Sequence, residues 1–185
     1  MKRFRVLVLV LVIAWSAAQE DYYPSRAGLS WTYSNGETQT LSGPSSFAEQ
    51  DVTVLLHLLQ GQPVAEDYLI YDEAGARLLG TAAGGQVLSY TPALTLYPPP
   101  PLQVGQTWKS TAKVNDLDIS LAFEVLSVTG VKTPAGRFNA LQIRQQTITS
   151  TGGQTFLDMF FVPSIGIVRT VTQDGTQIDM IEKNF

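Results

Sequence analysis

The amino-acid sequence predicts an all-β domain, an antiparallel meander of about ten to twelve strands that forms an open half-barrel or a β-sandwich. Beyond the first eighteen residues, no window shows sustained helical periodicity. Runs of β-branched, aromatic and alternating residues recur at intervals of roughly ten residues, separated by Gly, Pro, Asn and Asp. These separating segments are too short for helical crossovers, so we expect neighbouring strands to run antiparallel.

The first eighteen residues have the pattern of a secretory signal peptide. Three basic residues precede the apolar run Val6 to Trp15, and the small residues Ser16 to Ala18 follow it. An apolar run of about ten residues is half as long as a membrane-spanning helix requires. We therefore expect export, cleavage after Ala18, and a single soluble domain over residues 19–185 in the periplasm or outside the cell, without a stable membrane anchor.

The net charge and the absence of cysteine exclude several classes of partner and site. Cleavage after Ala18 removes three of the twelve Lys and Arg and none of the sixteen Asp and Glu, which leaves a net charge of −7. A protein that binds nucleic acid needs a basic stripe, so the sequence predicts no nucleic-acid partner. The chain contains no cysteine, which excludes disulfides, thiolate metal sites and the lipid-bearing cysteine of a bacterial lipoprotein.

The first half of the domain, about residues 22–97, begins with a predicted hairpin. Asn35-Gly36 separates two strand-like runs, and this dipeptide favours a type I′ turn, in which both central residues have positive φ. Gly and Pro then mark the turns of a meander. The predicted strands are Leu29–Ser34, Glu37–Leu41, Asp51–Gln60, Asp67–Asp72, Ala76–Ala83 and Gln86–Thr91.

Pro98–Pro101 joins the two halves as a stiff connector, because proline cannot donate to a β-ladder. The alternative is a docking segment for a proline-recognition partner. The pattern P-x-x-x-G-x-x-W occurs before the connector, from Pro24 to Trp31, and again from the last connector residue, Pro101, to Trp108. We expect one device used twice, in which glycine permits a sharp turn and tryptophan enters the core; chance recurrence is the alternative.

The second half, residues 101–185, has the clearest strand pattern. The run Leu117 to Val125 alternates apolar residues with polar or small ones, which places five apolar side chains on one face. Thr133-Pro134-Ala135-Gly136 predicts a tight turn. The predicted strands are Trp108–Val114, Leu117–Val125, Phe138–Thr149, Thr155–Val162, Ile167–Thr172 and Thr176–Glu182.

Two turn motifs resemble those of an exported bacterial β-rich family of unknown function. They are T-P-A-G-x-F at Thr133 to Phe138 and V-P-x-x-G-I-V at Val162 to Val168, and the start of the mature chain is also similar. The resemblance implies a β-rich fold and a cell-envelope address, and it implies no catalytic residue. The meander is more loosely similar to the half-barrels of bacterial lipoprotein-carrier proteins, which hold acyl chains in an apolar concavity.

The sequence contains no catalytic or metal-binding motif, so we expect neither enzymatic activity nor a cofactor. His57, the only histidine, is expected either in the core with one nitrogen bonded or on the outer face. Ser110 and Lys113 match S-x-x-K, but residues three apart on a strand point to opposite faces. Asp116 and Asp118 share a face, although a turn explains Asp116. A hydrolase that uses converging carboxylates remains one alternative.

The aromatic residues are explained first by packing in the core or on the sheet surface, and they leave one opening for a binding function. Tyrosine and tryptophan line apolar pockets, although half-buried strands use them as well. The candidate ligand-binding residues are Trp31, Tyr33, Tyr68, Tyr90 and Trp108. The favoured function is non-covalent binding of an apolar or lipid-like ligand by an exported cell-envelope protein. The alternative is a structural or interaction module that contacts an envelope protein through a sheet edge.

Overall fold

The computed structural model describes residues 21–185, and twelve strands of this part of the chain form a closed barrel. Each strand pairs antiparallel with the next, and the last pairs with the first. The first six strands are β1 (Ser30–Tyr33), β2 (Glu37–Phe47), β3 (Gln50–Leu59), β4 (Gln62–Asp72), β5 (Gly75–Ala83) and β6 (Gln86–Tyr97). The other six are β7 (Thr107–Val114), β8 (Leu117–Thr133), β9 (Gly136–Thr149), β10 (Gln154–Val162), β11 (Gly166–Thr172) and β12 (Gln177–Lys183).

The all-β class and the antiparallel meander are confirmed, whereas the open half-barrel or β-sandwich is wrong. Closure depends on β1 and β12, where Trp31 lies opposite Lys183 and Thr32 lies opposite Glu182. This pairing satisfies backbone groups that an open sheet would leave at its two edges. The predicted signal peptide, residues 1–18, lies outside the described residues, and none of the described residues form a helix able to cross a membrane.

Several strands continue beyond their predicted ends because β-bulges preserve the pairing. The register of β8 against β9 shifts between Val125 and Ser127, and the strand then continues to Thr133. β2 and β6 likewise run on to Phe47 and Tyr97, past register shifts of their own. A bulge inserts one extra residue into one strand and locally disrupts the ladder. A period-two pattern read from the sequence therefore stops at the bulge, although the strand does not.

The hairpin at Asn35-Gly36 is confirmed, but its predicted type I′ turn is wrong. Gly36 has a φ of 85°, and Asn35 is not among the described residues with positive φ. The Gly36 N–H donates to the Tyr33 carbonyl at 3.0 Å, and the Asn35 Oδ1 accepts a hydrogen bond from the Glu37 N–H at 3.1 Å. This is a type I turn followed by a left-handed glycine, the next commonest way to close a hairpin.

The two copies of P-x-x-x-G-x-x-W form the same local structure. Gly28 and Gly105 have φ values of 89° and 84°. The Gly28 N–H donates to the carbonyl of Leu41 at 2.8 Å, and the Gly105 N–H donates to that of Val125 at 2.8 Å. Each glycine thus turns the chain, and its N–H bonds to the strand that follows the one carrying the tryptophan of the motif. The predicted repetition of one device is confirmed at the level of backbone geometry.

Two adjoining hydrophobic clusters occupy the barrel interior. Residues of the first cluster include Leu94, Leu121, Phe123, Ile143 and Phe161. Residues of the second cluster include Trp31, Leu41, Leu69, Val168 and Met180. The partly buried side chains that pack against both are Tyr71, Leu78 and Leu96. The boundary between the clusters is the place where the interior is incompletely filled.

Candidate functional site

A cavity of about 160 Å³ lies in the barrel interior where the two clusters meet. Its polar lining includes Gln39 and Asp67. The aromatic residues that line it are Tyr23, Trp31, Tyr33, Tyr71, Tyr97 and Phe161. An apolar cavity with a few polar groups is the usual form of a small-molecule site. We call it the interior cavity.

A larger groove of about 500 Å³ lies where β6 and β7 meet. The two strands share a single paired position there, Thr91 opposite Lys113. No aromatic ring lines this groove, and its residues include the charged pair Lys113 and Asp118. The interior cavity is therefore the better candidate, because aromatic burial supplies more binding free energy than a shallow, solvated surface does.

β1 positions two of the lining rings. Alternation along this short strand points Trp31 and Tyr33 inward, and both are buried. The Trp31 Nε1–H donates to the carbonyl of Ile165 at 2.6 Å, and the Tyr33 hydroxyl donates to the carbonyl of Ile167 at 3.0 Å. Because their polar atoms are already satisfied, these two rings present apolar surface to the cavity.

The segment before β1 supplies another wall. Tyr23 stacks on Tyr97 with ring centroids 5.2 Å apart, and its hydroxyl donates to the carbonyl of Pro98 at 2.6 Å. The Leu102 N–H donates to the Tyr22 hydroxyl at 3.1 Å. The N-terminal segment is thus hydrogen-bonded to the first residue of the Pro98–Pro101 connector and to Leu102, the residue that follows it. These contacts favour the structural interpretation of the connector over the docking interpretation.

Tyr71 and Tyr97 differ from the other tyrosines of the cavity. Among residues 21–185, neither hydroxyl has a hydrogen-bond partner. Burial raises the pKa of both hydroxyls above the usual value, so both stay protonated at neutral pH. The cavity therefore contains two neutral hydroxyls with unused hydrogen-bonding capacity beside apolar rings.

An ionic triad lies on the inner face of β2, β3 and β4. The His57 Nδ1 is 2.7 Å from Glu37 Oε1, and its Nε2 is 3.2 Å from Asp67 Oδ2. The strand register explains this arrangement, because Gln39 lies opposite His57 and Leu55 lies opposite Asp67. Residues in register point to the same face. We call Glu37, His57 and Asp67 the triad.

Hydrogen bonding sets the charge of the triad. The hydrogen bond from His57 is the main cause that lowers the pKa of Glu37 to about 2. Burial opposes the charge on His57, but hydrogen bonds to Asp67 and Glu37 outweigh it and raise its pKa to about 9. At neutral pH the triad is an imidazolium between two carboxylates, with a net charge of −1. A cationic imidazole cannot serve as a general base.

Neither sequence-based placement of His57 is correct. The ring is bonded through both nitrogens rather than one, and it lies on the inner face with 18% of its side chain exposed. The alternation of Glu37, Gln39 and Leu41 along β2 indicates that these three side chains lie on one face of the strand. The contacts of His57 with Glu37 and Asp67 depend on the register of three strands, which brings together residues up to thirty positions apart in the chain.

The five sequence-predicted ligand-binding residues do not converge. Trp31 and Tyr33 line the interior cavity. Tyr68 lies on the opposite face of β4 from Asp67 and stacks on Phe47, with centroids 4.1 Å apart. Tyr90 and Trp108 pack against the first core cluster. Sequence reasoning missed Tyr71 and Tyr97 as cavity residues, since tyrosines on strands give no local sign of which face is hollow.

The other candidates for chemistry lie apart from one another. Ser110 Oγ accepts a hydrogen bond from the Thr95 N–H at 2.8 Å, while Lys113 pairs with Asp118 at 3.5 Å. Ser110 and Lys113 therefore have separate partners. Within residues 21–185, no cluster of three His, Cys, Asp or Glu residues has the geometry of a metal site.

Comparisons with known proteins give only distant likenesses. No protein-family model matches the sequence, and no curated protein matches it. A protein from Parabacteroides distasonis ATCC 8503, provisionally described as a lipoprotein, has 12% identity and a TM-score of 0.46 over 89% of this chain and 99% of its own. A protein from Bacteroides fragilis NCTC 9343, provisionally described as exported and YmcC-like in fold, has 12% identity and a TM-score of 0.45 over 90% and 100%. These values are too low to transfer a function or a site.

Proposed function

We propose that this protein is exported and binds a small apolar ligand non-covalently in the interior cavity, without catalysing a reaction. The observation that carries the proposal is the cavity of about 160 Å³ inside the barrel, with six aromatic residues in its lining. Burying apolar ligand surface against such rings is favourable by roughly 25 cal/mol per Å².

The volume limits the ligand. An apolar cavity of about 150 Å³ in a protein interior stays dry and holds one benzene molecule. The interior cavity, at about 160 Å³, therefore has room for one ring-sized group or a short alkyl segment. A lipid with a long acyl chain would have only part of that chain inside the barrel.

The triad favours binding over hydrolysis. Both carboxylates contact the same imidazolium, and Asp67 Oδ1 also accepts a hydrogen bond from the Thr81 hydroxyl at 2.7 Å. A carboxylate hydrolase needs one acid that is free to protonate a leaving group and a second that is free to attack or to activate water. The pairing of β1 with β12 removes one candidate sheet edge for a protein-interaction module, whereas β6 and β7 share a single paired position.

Export is supported by the basic, apolar and small-residue order of residues 1–18. Cell fractionation followed by N-terminal sequencing tests it. We expect the mature chain in the periplasmic or culture fraction with Gln19 at its N-terminus. Full-length protein confined to the cytosol would contradict export and would leave the binding proposal standing by itself.

Toluene binding to purified residues 19–185 tests the cavity. Ala76 lines the cavity and is 3% exposed, so Ala76→Leu adds three carbon atoms to the space. Ala122 alternates with the inward residues Leu121 and Phe123 on β8 and is partly exposed, so Ala122→Leu makes the same change outside. We expect Ala76→Leu to weaken toluene binding at least about tenfold, and Ala122→Leu to leave it unchanged.

Equal toluene affinity in all three proteins would place the binding site elsewhere. Absence of binding to the unmodified protein would contradict the proposed function. Native mass spectrometry of protein purified from the envelope fraction, followed by denaturation and extraction, then identifies the natural occupant.

A further inference from the structure

We propose that the natural ligand combines its ring-sized apolar group with one uncharged hydrogen-bonding oxygen, a hydroxyl or a carbonyl, which the hydroxyls of Tyr71 and Tyr97 receive. This inference rests on the proposed function and names the chemical class of its ligand. The interior cavity would then recognise one polar group of the ligand in addition to its apolar ring.

The first argument is the contrast between two kinds of tyrosine. The hydroxyls of Tyr23 and Tyr33 donate to backbone carbonyls at 2.6 Å and 3.0 Å. Those of Tyr71 and Tyr97 have no such partner in the described part of the chain, and both side chains are partly buried where they pack against the core. A hydroxyl that makes no hydrogen bond within the protein keeps its capacity to bond water or a ligand. Here both line one ligand-sized cavity.

The second argument concerns the charge of the ligand. Asp67 is the one ionisable carboxylate among the described lining residues, and that lining contains no Lys or Arg. An anionic ligand would therefore lie near a carboxylate of the triad, which carries a net charge of −1, without a cation of its own. Burying an unpaired charge is strongly unfavourable.

A cationic ligand is disfavoured for a different reason. Asp67 already accepts hydrogen bonds from Thr81 at 2.7 Å and from His57 at 3.2 Å. An ammonium group would lose its water and find this carboxylate occupied. Only an uncharged polar group meets both unused hydroxyls without an electrostatic cost.

Phenol and toluene form the matched probe pair, because a hydroxyl and a methyl group have similar size. The measured quantity is the ratio of phenol affinity to toluene affinity, which cancels the binding of the ring. A site that hydrogen-bonds a ligand oxygen discriminates through that bond, and losing the partner leaves the oxygen buried and unpaired. We expect Tyr71→Phe and Tyr97→Phe each to lower the ratio at least about fivefold, chiefly through weaker phenol binding.

Tyr90→Phe is the matched control, because Tyr90 packs against the first core cluster and does not line the cavity. It should leave the ratio within about twofold of the original. Each substitution removes one oxygen atom, and a thermal unfolding midpoint confirms that every variant is folded. Benzoate and benzylammonium are expected to bind at least about tenfold more weakly than phenol.

The outcomes separate the two proposals. Toluene binding with a ratio unchanged by Tyr71→Phe and Tyr97→Phe would overturn the hydrogen-bonding inference while the proposed function stands. Benzoate or benzylammonium binding as tightly as phenol would overturn the requirement for an uncharged ligand. Failure of both phenol and toluene to bind the unmodified protein would overturn the proposed function itself.

Discussion

Replacing His57 by Gln tests the charge assigned to the triad. Glutamine keeps hydrogen-bonding capacity but cannot carry the positive charge that lies between Glu37 and Asp67. The pKa of His57 rises from 6.5 to about 9 on folding, a change equivalent to about 3 kcal/mol. Water reaches part of the triad and screens it, so we expect about 2 kcal/mol of charge-dependent stability. The lowered pKa of Glu37 reports the same interaction and is not added to it.

The sign of the pH dependence follows from the direction of the shift. A group whose pKa is raised in the folded protein contributes fully below its unfolded value and loses the contribution as the pH rises. The unfolding free energy of the unmodified protein minus that of His57→Gln should therefore be largest below about pH 6.5 and fall as the pH rises through 9. On the acidic side, Glu37 contributes above its unfolded pKa of 4.5 and loses the contribution as the pH falls through about 2.

Urea unfolding at about pH 6.0, 7.5 and 9.5 measures this difference below, within and above the pH range over which the His57 contribution should be lost. Trp31 and Trp108 are the two tryptophans of the mature chain, and both pack into the core, so their fluorescence reports unfolding. His57 is the only histidine, so its imidazole resonance can be titrated without assignment ambiguity. Its midpoint should lie near 9.

Lys113→Gln is the matched control. Lys113 and Asp118 are separated by 3.5 Å, but their side chains are 77% and 67% exposed. An exposed pair contributes little, so this variant should show a small difference that does not change between pH 6 and 9.5. A flat difference for His57→Gln over the same range, or a histidine midpoint near 6.5, would refute the charged triad.

Two further predictions concern the barrel itself. Gly75 has a φ of 107°, and a Cβ there would overlap the backbone carbonyl of Tyr97, so Gly75→Ala should lower the unfolding free energy by about 2–4 kcal/mol. Gly130→Ala, where the added Cβ meets open space, should change it by less than about 1 kcal/mol in the same urea assay. Met180 is fully buried, and Met180→Ala should reduce the unfolding free energy by about 2–5 kcal/mol. The neighbouring Ile181 is 40% exposed, so Ile181→Ala should cost about 1 kcal/mol or less; similar losses at both positions would contradict the described inner face of β12.

Local sequence patterns predicted most of the strands and the turns between them. The alternation over Leu117 to Val125 and the turn at Thr133 to Gly136 correspond to β8 and to the hairpin with β9. These features depend on residues within a few positions of one another, because strand pleat and turn geometry are local properties. Pattern reading failed at the register shift after Val125, where the alternation in the sequence ends although the strand continues to Thr133.

The sequence by itself thus determined the all-β class, the antiparallel direction of neighbouring strands and the repeated glycine turns, since local conformational preferences specify all three. Only the tertiary structure decided that β1 pairs with β12, and this pairing turned the expected open half-barrel into a closed barrel. It also decided which tyrosines surround a hollow interior and which carboxylates meet His57. The physical reason is that closure and cavity formation depend on the register of strands that are distant in the chain, which no short window of sequence contains.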